Sequence, residues 1–367
     1  MNPIVVVGGG IVGTSVAYSL RTADRPVYLF EKNALGSGTT GGSIAQFTYH
    51  QDDPDEHDHE LRRRAWEWLQ PRIEDGRFSF EQCGTLHTFE SDCERAAVEH
   101  IQSGLSAFGA ETEWLDAADL ARYDLVTDEL GGGLLFPTDG VLDPSEIVHY
   151  QAERVRETGG RVETGVEVTD VATDDGAVAG VELGDGETVA ADYVVNAAGP
   201  WAPLVDGMVG VDVPLRHTGG PIVVLDAGRE VRLPLTFFED GLYFREEGAT
   251  RLLVGNFATG YDEAERLDPE GVRTPAESFR LDVADAVGRY LPSSGDVTVV
   301  NEWFDLRTVT PDSRPIVDET RVDGYVVATG MSGYGVTASA AVGDLVADLV
   351  AGRESALLDA FSLDRFA

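Results

Sequence analysis

The chain has 367 residues, 43% of them hydrophobic, with 65 acidic against 27 basic side chains and a formal charge of −38. That length and apolar fraction allow about two packed domains, and the charge argues against nucleic acid or an anionic membrane as a partner. Lys32 is the only lysine; an acid-rich, lysine-poor surface suits a halophilic setting, where concentrated salt screens the repulsion.

Cys83 and Cys93 are the only cysteines. They are free to pair, but two thiols make neither a disulfide framework nor a metal cluster, so a reducing cytoplasm is expected. No basic-plus-apolar leader precedes Ile4, and no apolar run reaches membrane-spanning length.

The chain opens with the apolar strand Ile4–Val7, then Gly8-Gly9-Gly10-Ile11-Val12-Gly13, a helix over residues 14–20 and a second strand over 27–30 that ends in Glu31. Gly8, Gly10 and Gly13 keep the GxGxxG spacing, and Glu31 follows Gly13 by eighteen residues. In that strand–turn–helix–strand setting the spacing is the Rossmann fingerprint for an ADP moiety. Gly8 permits the tight turn, Gly10 leaves room for a pyrophosphate and Gly13 lets helix and strand approach. The helix N-terminus offers free N–H groups to the anion, and Glu31 accepts from ribose hydroxyls. Residues 35–43 follow as a loop of small residues, suited to close approach of backbone to a ligand.

Residues 52–60 are acidic and hold His57 and His59. They read as a solvated entry to a helix over 61–73 rather than as a metal site. A strand is expected over 78–89 with a turn at Gly84, helices over 94–108 and 117–123, and a turn at 139–144 before a helix over 145–158. Short strands then alternate with turn pairs over 162–171, 178–183 and Thr188–Ala190, and the meander returns to a core strand ending in Ala197-Ala198-Gly199-Pro200-Trp201. Further strands are expected over 213–225, 233–238, 241–245 and Arg251–Asn256, and an amphipathic helix over 276–290. The tail repeats the opening pattern, with a strand over 325–330, the glycine loop Met331-Ser332-Gly333-Tyr334-Gly335 and a helix over 336–349. Two such units far apart imply a cofactor domain assembled from separated segments.

These motifs, with Gly241-Leu242-Tyr243-Phe244-Arg245 and Arg307-Thr308-Val309-Thr310-Pro311-Asp312 in order between them, resemble the flavin-dependent amine and amino-acid oxidoreductases of the D-amino-acid oxidase superfamily. The resemblance spans nearly the whole chain and implies FAD rather than NAD. It implies an α/β (α+β overall) fold, in which a Rossmann-type FAD-binding domain (1–82, 140–212 and 302–367) meets a mainly antiparallel substrate domain (83–139 and 213–301). The implied cofactor contacts are Gly8, Gly10, Ile11, Val12, Gly13, Glu31 and Lys32; Thr39, Thr40, Gly42 and Ser43; Val168; Ala198, Gly199 and Trp201; and Gly330, Gly333, Tyr334, Gly335 and Val336. A helix starting near Gly335 would direct its positive end at the flavin pyrimidine edge. Tyr334 stands where related chains often carry histidine. Covalent variants of the family attach flavin through a cysteine where this chain has Asp305, or through a histidine where it has Gly41-Gly42, so the FAD is expected to be non-covalent.

Arg307 matches the carboxylate-binding arginine of glycine-oxidase-like members, and its planar fork suits a carboxylate. Tyr243 matches a tyrosine over the flavin and shares a strand face with Arg245, for which a salt bridge is expected. His217 is a further candidate near the pocket. The resemblance implies hydride transfer from the α-carbon of a small amino acid or N-methyl amino acid to flavin N5, with no metal. The electrons then pass to O2 or another acceptor. Leu253 occupies the place of the oxygen-activating lysine of sarcosine-oxidase-like members, which favours another acceptor. Two rival readings remain: an FAD-dependent 2-hydroxy acid or polyol dehydrogenase, and a flavin-binding subunit that needs a partner.

Overall fold

The computed structural model describes residues 1–49, 55–257, 260–292 and 297–366, and two large sheets organise them. The first has six strands in the order Ile316–Glu319, Tyr325–Thr329, Tyr193–Asn196, Ile4–Val7, Val27–Glu31 and Arg161–Thr164. All its pairs are parallel except that of Ile316–Glu319 with Tyr325–Thr329. Ile4, Val5 and Val6 are fully buried, as expected of a central parallel strand covered on both faces; each such side chain contributes about 1.5–3 kcal/mol of burial. The opening and closing glycine loops meet on this sheet. Helices Ile11–Leu20 and Gly335–Val350 pack closely at Gly343, where a Cβ would lie 2.5 Å from the Ser15 carbonyl oxygen.

The second sheet has eight strands in the order Thr298–Val309, Arg216–Asp226, Arg251–Asn256, Leu242–Glu247, Leu235–Phe237, Thr85–Phe89, Gly132–Phe136 and Glu113–Asp116. It is antiparallel apart from the pairing of Leu235–Phe237 with Thr85–Phe89. One face packs on helix Glu277–Tyr290 through Phe244, Val254, Phe238, Val283 and Tyr290. Because side chains alternate along a strand, Tyr243 then points to the opposite face, where it packs with Ile222, Leu235 and Leu253.

Several elements depart from the sequence expectations, each for a local reason. The first helix begins at Ile11, three residues early, because Gly10 already serves as its N-cap. The expected strand over 78–89 is two strands in different sheets, Phe80–Glu81 and Thr85–Phe89, broken at Gly84 (φ +77°). The stretch 162–171 likewise divides into Arg161–Thr164 and Val168–Asp174 around Gly165 (φ +71°). Strands Glu113–Asp116, Thr298–Val309 and Ile316–Glu319 carry no clean alternation and were not anticipated. The expected boundary at residue 302 falls inside Thr298–Val309, so residues 302–309 belong by hydrogen bonding to the eight-stranded sheet.

His57 and His59 lie in the first turn of helix Glu56–Glu74 rather than before it, capped by Asp55, which accepts from the His57 and Asp58 N–H groups. Residues 52–54 of that acidic stretch lie outside the described residues. Among the described residues no group of His, Cys, Asp or Glu could hold a metal ion, both cysteines are free, and no helix is long and apolar enough to cross a membrane.

Candidate active site

One cavity of about 780 Å³ runs between the two sheets, from the fingerprint glycines to Tyr243 and Arg307. At its nucleotide end, the Gly8 turn is fixed by backbone. A Cβ on Gly8 (φ +106°) would lie 2.6 Å from the Ala197 carbonyl oxygen, and one on Gly13 would lie 1.9 Å from that of Gly8. Gly13 therefore sits beneath the turn and does not line the cavity, although Gly8, Gly10, Ile11 and Val12 do. A Cβ on Gly10 would meet only the Thr40 hydroxyl, so the backbone there is open to a ligand. The Ile11 N–H donates to Thr40 Oγ1 at 3.1 Å, which pins the small-residue loop to the fingerprint. Thr14 N–H closes the first helical bond to Gly10, leaving the Val12 N–H directed at the cavity end.

Glu31 accepts from Gly9 N–H with Oε2 and from Asn33 N–H with Oε1, both at 2.7 Å. Each oxygen keeps a further lone pair for a ribose hydroxyl. The Lys32 ammonium lies 4.2 Å from the Trp201 ring centroid and pairs with Glu270, which also accepts from the Trp201 indole N–H at 2.6 Å. These bonds, Lys32 first, hold the Glu270 carboxyl below its ordinary range.

The cavity's middle is lined by Thr39, Thr40, Gly42 and Ser43, by Val168, Ala198, Gly199 and Trp201, and by Gly330, Gly333, Tyr334, Gly335 and Val336. Helix Gly335–Val350 begins here, with Tyr334 as its N-cap. Behind it the Arg62 guanidinium lies 4.7 Å from the Tyr334 ring centroid. Arg62 is buried, donates to Asp58 at 2.6 Å and to the Thr48 carbonyl at 2.8 Å, and so fixes the helix entry from beneath.

At the far end, strand Thr298–Val309 presents Trp303, Asp305 and Arg307 on one face. Arg307 Nη1 donates to the Gly219 carbonyl and Nη2 to that of Asn256, both at 2.8 Å. Among the described residues no carboxylate lies within ion-pair distance of it, so neutral carbonyls orient the fork and leave its charge available to an anion. Gly220 lies beside it, and a Cβ there would be 3.4 Å from Arg307 Cζ. Tyr243 is buried, and its hydroxyl interacts with Arg307; burial first of all pushes its phenol pKa up, against the pull of that cation. Gly255 opposes Tyr243 in the ladder, and a Cβ there would lie 2.2 Å from the hydroxyl oxygen. A glycine in mid-strand is therefore what admits the tyrosine.

Asp305 is half-buried, and burial raises its carboxyl pKa. A Cβ on Gly42 would lie 1.6 Å from Asp305 Oδ2, so the two positions matching the covalent-attachment sites of related flavoproteins touch each other here.

His217 leaves the site. It is buried outside the cavity lining, its Nδ1 accepts from Leu267 N–H at 3.0 Å, and its Nε2 faces the Pro200 carbonyl at 3.0 Å. Both ring nitrogens hold backbone, and burial keeps the imidazole pKa below its ordinary value. Its place on a strand near the pocket suggested a role that its partners remove. Arg245 forms the expected salt bridge, with Glu247 at 3.0 Å. His87, Phe237, Asn256 and Phe257 line the cavity without having been singled out. For His87, Phe237 and Phe257 the one signal is the clustering of aromatics on short strands, which core residues share; Asn256 carries none.

The model of the DAO family, described as FAD dependent oxidoreductase, matches residues 3–349. The chain belongs to this family. A D-amino acid dehydrogenase of Paramagnetospirillum magneticum is 30% identical over 77% of this chain and 67% of its own length. A glycine oxidase of Geobacillus kaustophilus is 25% identical over 99% of this chain and 96% of its own length. For another relative, the D-amino acid dehydrogenase of Xanthobacter autotrophicus, the match spans 64% of that protein. Among solved structures, the L-proline dehydrogenase of P. horikoshii is similar at a TM-score of 0.88 and 25% identity, covering 100% of this chain and 97% of that one.

The DAO-family chain is thus an FAD-dependent oxidoreductase with the expected mixed α/β fold. Its cavity fits FAD: the backbone at Gly10 is open, two helix N-termini face the cavity, and Glu31 keeps lone pairs free, a donor and acceptor set that suits phosphate, ring and ribose.

Proposed function

We propose that this protein oxidises the C–N bond of an α-amino acid or N-alkyl amino acid, with Arg307 holding the substrate carboxylate. The observation that carries this reading is the Arg307 guanidinium, oriented by the Gly219 and Asn256 carbonyls in the cavity wall without an acidic partner among the described residues. Bound FAD supplies the two-electron acceptor for that oxidation. The chain's share is positioning: Arg307 grips the carboxylate in bidentate fashion, and Tyr243, beside it, donates a hydrogen bond that fixes the carboxylate plane. The imine product is hydrolysed by water. Gly8, Gly10, Val12, Glu31, Thr40, Gly42, Gly335 and Val336 are proposed to hold FAD without a covalent bond. Residues carrying the six-stranded sheet form the cofactor domain in this reading, and those carrying the eight-stranded sheet form the substrate domain.

Leu253 packs among Ile222, Leu235 and Tyr243, and the only lysine is engaged at Trp201 and Glu270. This supports electron transfer to an acceptor other than O2. The test is anaerobic bleaching of the purified flavoprotein in high salt with glycine, sarcosine, dimethylglycine, proline and D-amino acids, and with 2-hydroxy acids as the contrast. Bleaching by an amino acid, lost in Arg307→Ala while flavin stays bound, supports the reading. Bleaching by hydroxy acids alone overturns it.

A further inference from the structure

The eight-stranded sheet carries one continuous row of side chains across its cavity face. Reading the ladder from Thr85–Phe89, His87 pairs with Phe237, Phe237 with Tyr243, Tyr243 with Gly255, Gly255 with Ile222 and Ile222 with Trp303. Facing residues in register lie on the same side of a sheet, and His87, Phe237, Tyr243 and Ile222 all line the cavity. Phe237 is the hub of the row. Its ring stacks on His87 at 4.9 Å and 10°, meets Tyr243 at 5.6 Å and meets Phe257 at 4.9 Å and 64°. Three rings thus fix its orientation, yet it remains half-buried.

This row adjoins the carboxylate anchor directly. Arg307 bonds the Asn256 carbonyl, which precedes Phe257, and interacts with the Tyr243 hydroxyl. A carboxylate held by Arg307 therefore has the aromatic row as its neighbour. At Phe237 and Phe257 such a surface rewards an apolar group and offers no hydrogen-bond donor to an anionic one.

We propose that Phe237, flanked by Phe257, Tyr243 and His87, forms the subsite for the substrate's side chain, and that the substrate class is α-amino acids with an apolar side chain or ring rather than glycine. The proposal rests on Arg307 as the carboxylate anchor. Each further methylene laid on Phe237 then raises kcat/KM by about fourfold until the subsite is full. An anionic side chain of similar size, desolvated against the Phe237 and Phe257 rings, falls below its apolar counterpart.

The test uses the FAD-loaded protein in high salt with a dye as electron acceptor. kcat/KM is measured for glycine, alanine, 2-aminobutyrate, norvaline, leucine, phenylalanine, proline and aspartate in both hands, alongside the 2-hydroxy acids of the same side chains. The expected result is a rise along the apolar series of at least tenfold over glycine. In Phe237→Ala the large substrates should lose at least tenfold, with alanine changed less than threefold. Phe237→Leu, which retains apolar volume, should fall between. Non-reacting acetate, butyrate and benzoate, titrated against the flavin absorption spectrum, give a readout independent of turnover, and their Kd should fall with apolar size. Glycine as the best substrate, a flat Kd series, or an equal loss for all substrates in both variants would each overturn the subsite. The same apolar ranking among hydroxy acids, with amino acids inert, would keep the subsite and sink only the C–N reading.

Discussion

The two sheets meet the same cavity by opposite means. The six-stranded sheet offers it backbone: glycines, helix N-termini and one acid whose oxygens already hold main-chain N–H groups. The eight-stranded sheet offers side chains: a guanidinium, a phenol and a row of rings. A nucleotide presents the same phosphates and ribose in every chain that binds it, so backbone geometry suffices and tolerates no added atom. A substrate must be distinguished from its neighbours, and only side chains can change to do so. Perturbing the first region should therefore cost the cofactor, and perturbing the second should cost selectivity with the cofactor in place.

The largest effect is expected from Gly13→Ala. Its methyl would lie 1.9 Å from the Gly8 carbonyl oxygen, and neither backbone has room to move. A backbone contact this short exceeds ordinary overpacking and cannot be relieved by a side-chain shift, so the turn itself must rearrange and the variant should purify with almost no flavin, seen as lost visible absorption. A full FAD complement would show that the turn is less rigid than the contact implies. Arg307→Ala should do the reverse: flavin content unchanged, and kcat/KM for a carboxylated substrate lower by about 2–4 kcal/mol, with Arg307→Lys recovering part of it. Loss of flavin in this variant would break the division between the sheets.

A third prediction lies beneath the six-stranded sheet. Asp206 is buried, accepts from Asn196 and Tyr325, and is pushed up to about 6, chiefly by burial. Because its folded pKa lies above its unfolded value of 3.8, its contribution to stability is whole below that value and is lost as pH rises through about 6. Asp206→Asn should therefore gain on wild type as pH climbs from 4 to 7, by about 1–3 kcal/mol at the upper end. Denaturant melts at both pH values check this, and a pH-independent difference would refute it. His217 has the opposite sign. Its depressed pKa stabilises the fold above about 6.5, and the benefit drains away as pH falls below that value. His217→Gln should therefore flatten the acid side of the profile while leaving substrate selectivity alone, and any change in selectivity would return His217 to the site. The smallest effect belongs to His57→Ala, a part-exposed side chain in the first turn of its helix, which should move stability by less than about 0.5 kcal/mol. Chelators should leave its melting temperature where it was.

Much of the cofactor region was legible because its signals are local. The glycines of the fingerprint, Glu31 and the closing glycine loop each state their role within a few residues, since a βα turn is built from consecutive backbone. Arg307 and Tyr243 were visible only through resemblance, because nothing in Leu306-Arg307-Thr308 or Leu242-Tyr243-Phe244 distinguishes an active-site strand from a core one. His217 shows the cost of that ambiguity: its neighbours in sequence permit a role in the site, whereas in the fold its two ring nitrogens meet the backbone of Leu267 and Pro200, outside the cavity lining.

By itself, then, the sequence determined the dinucleotide turn, the return of the chain to the same sheet at its end, and the extreme acidity of the surface. Tertiary structure alone decided that Gly42 touches Asp305, that Gly255 makes room for Tyr243, and that His87, Phe237 and Tyr243 form one row. The physical reason is sequence separation. A helix N-terminus is set by φ and ψ over a few residues, whereas strand register is set by pairing between segments, from neighbouring hairpin strands such as those of Tyr243 and Gly255 to strands as far apart as those of His87 and Phe237, and only packing of the whole sheet fixes which side chains face each other.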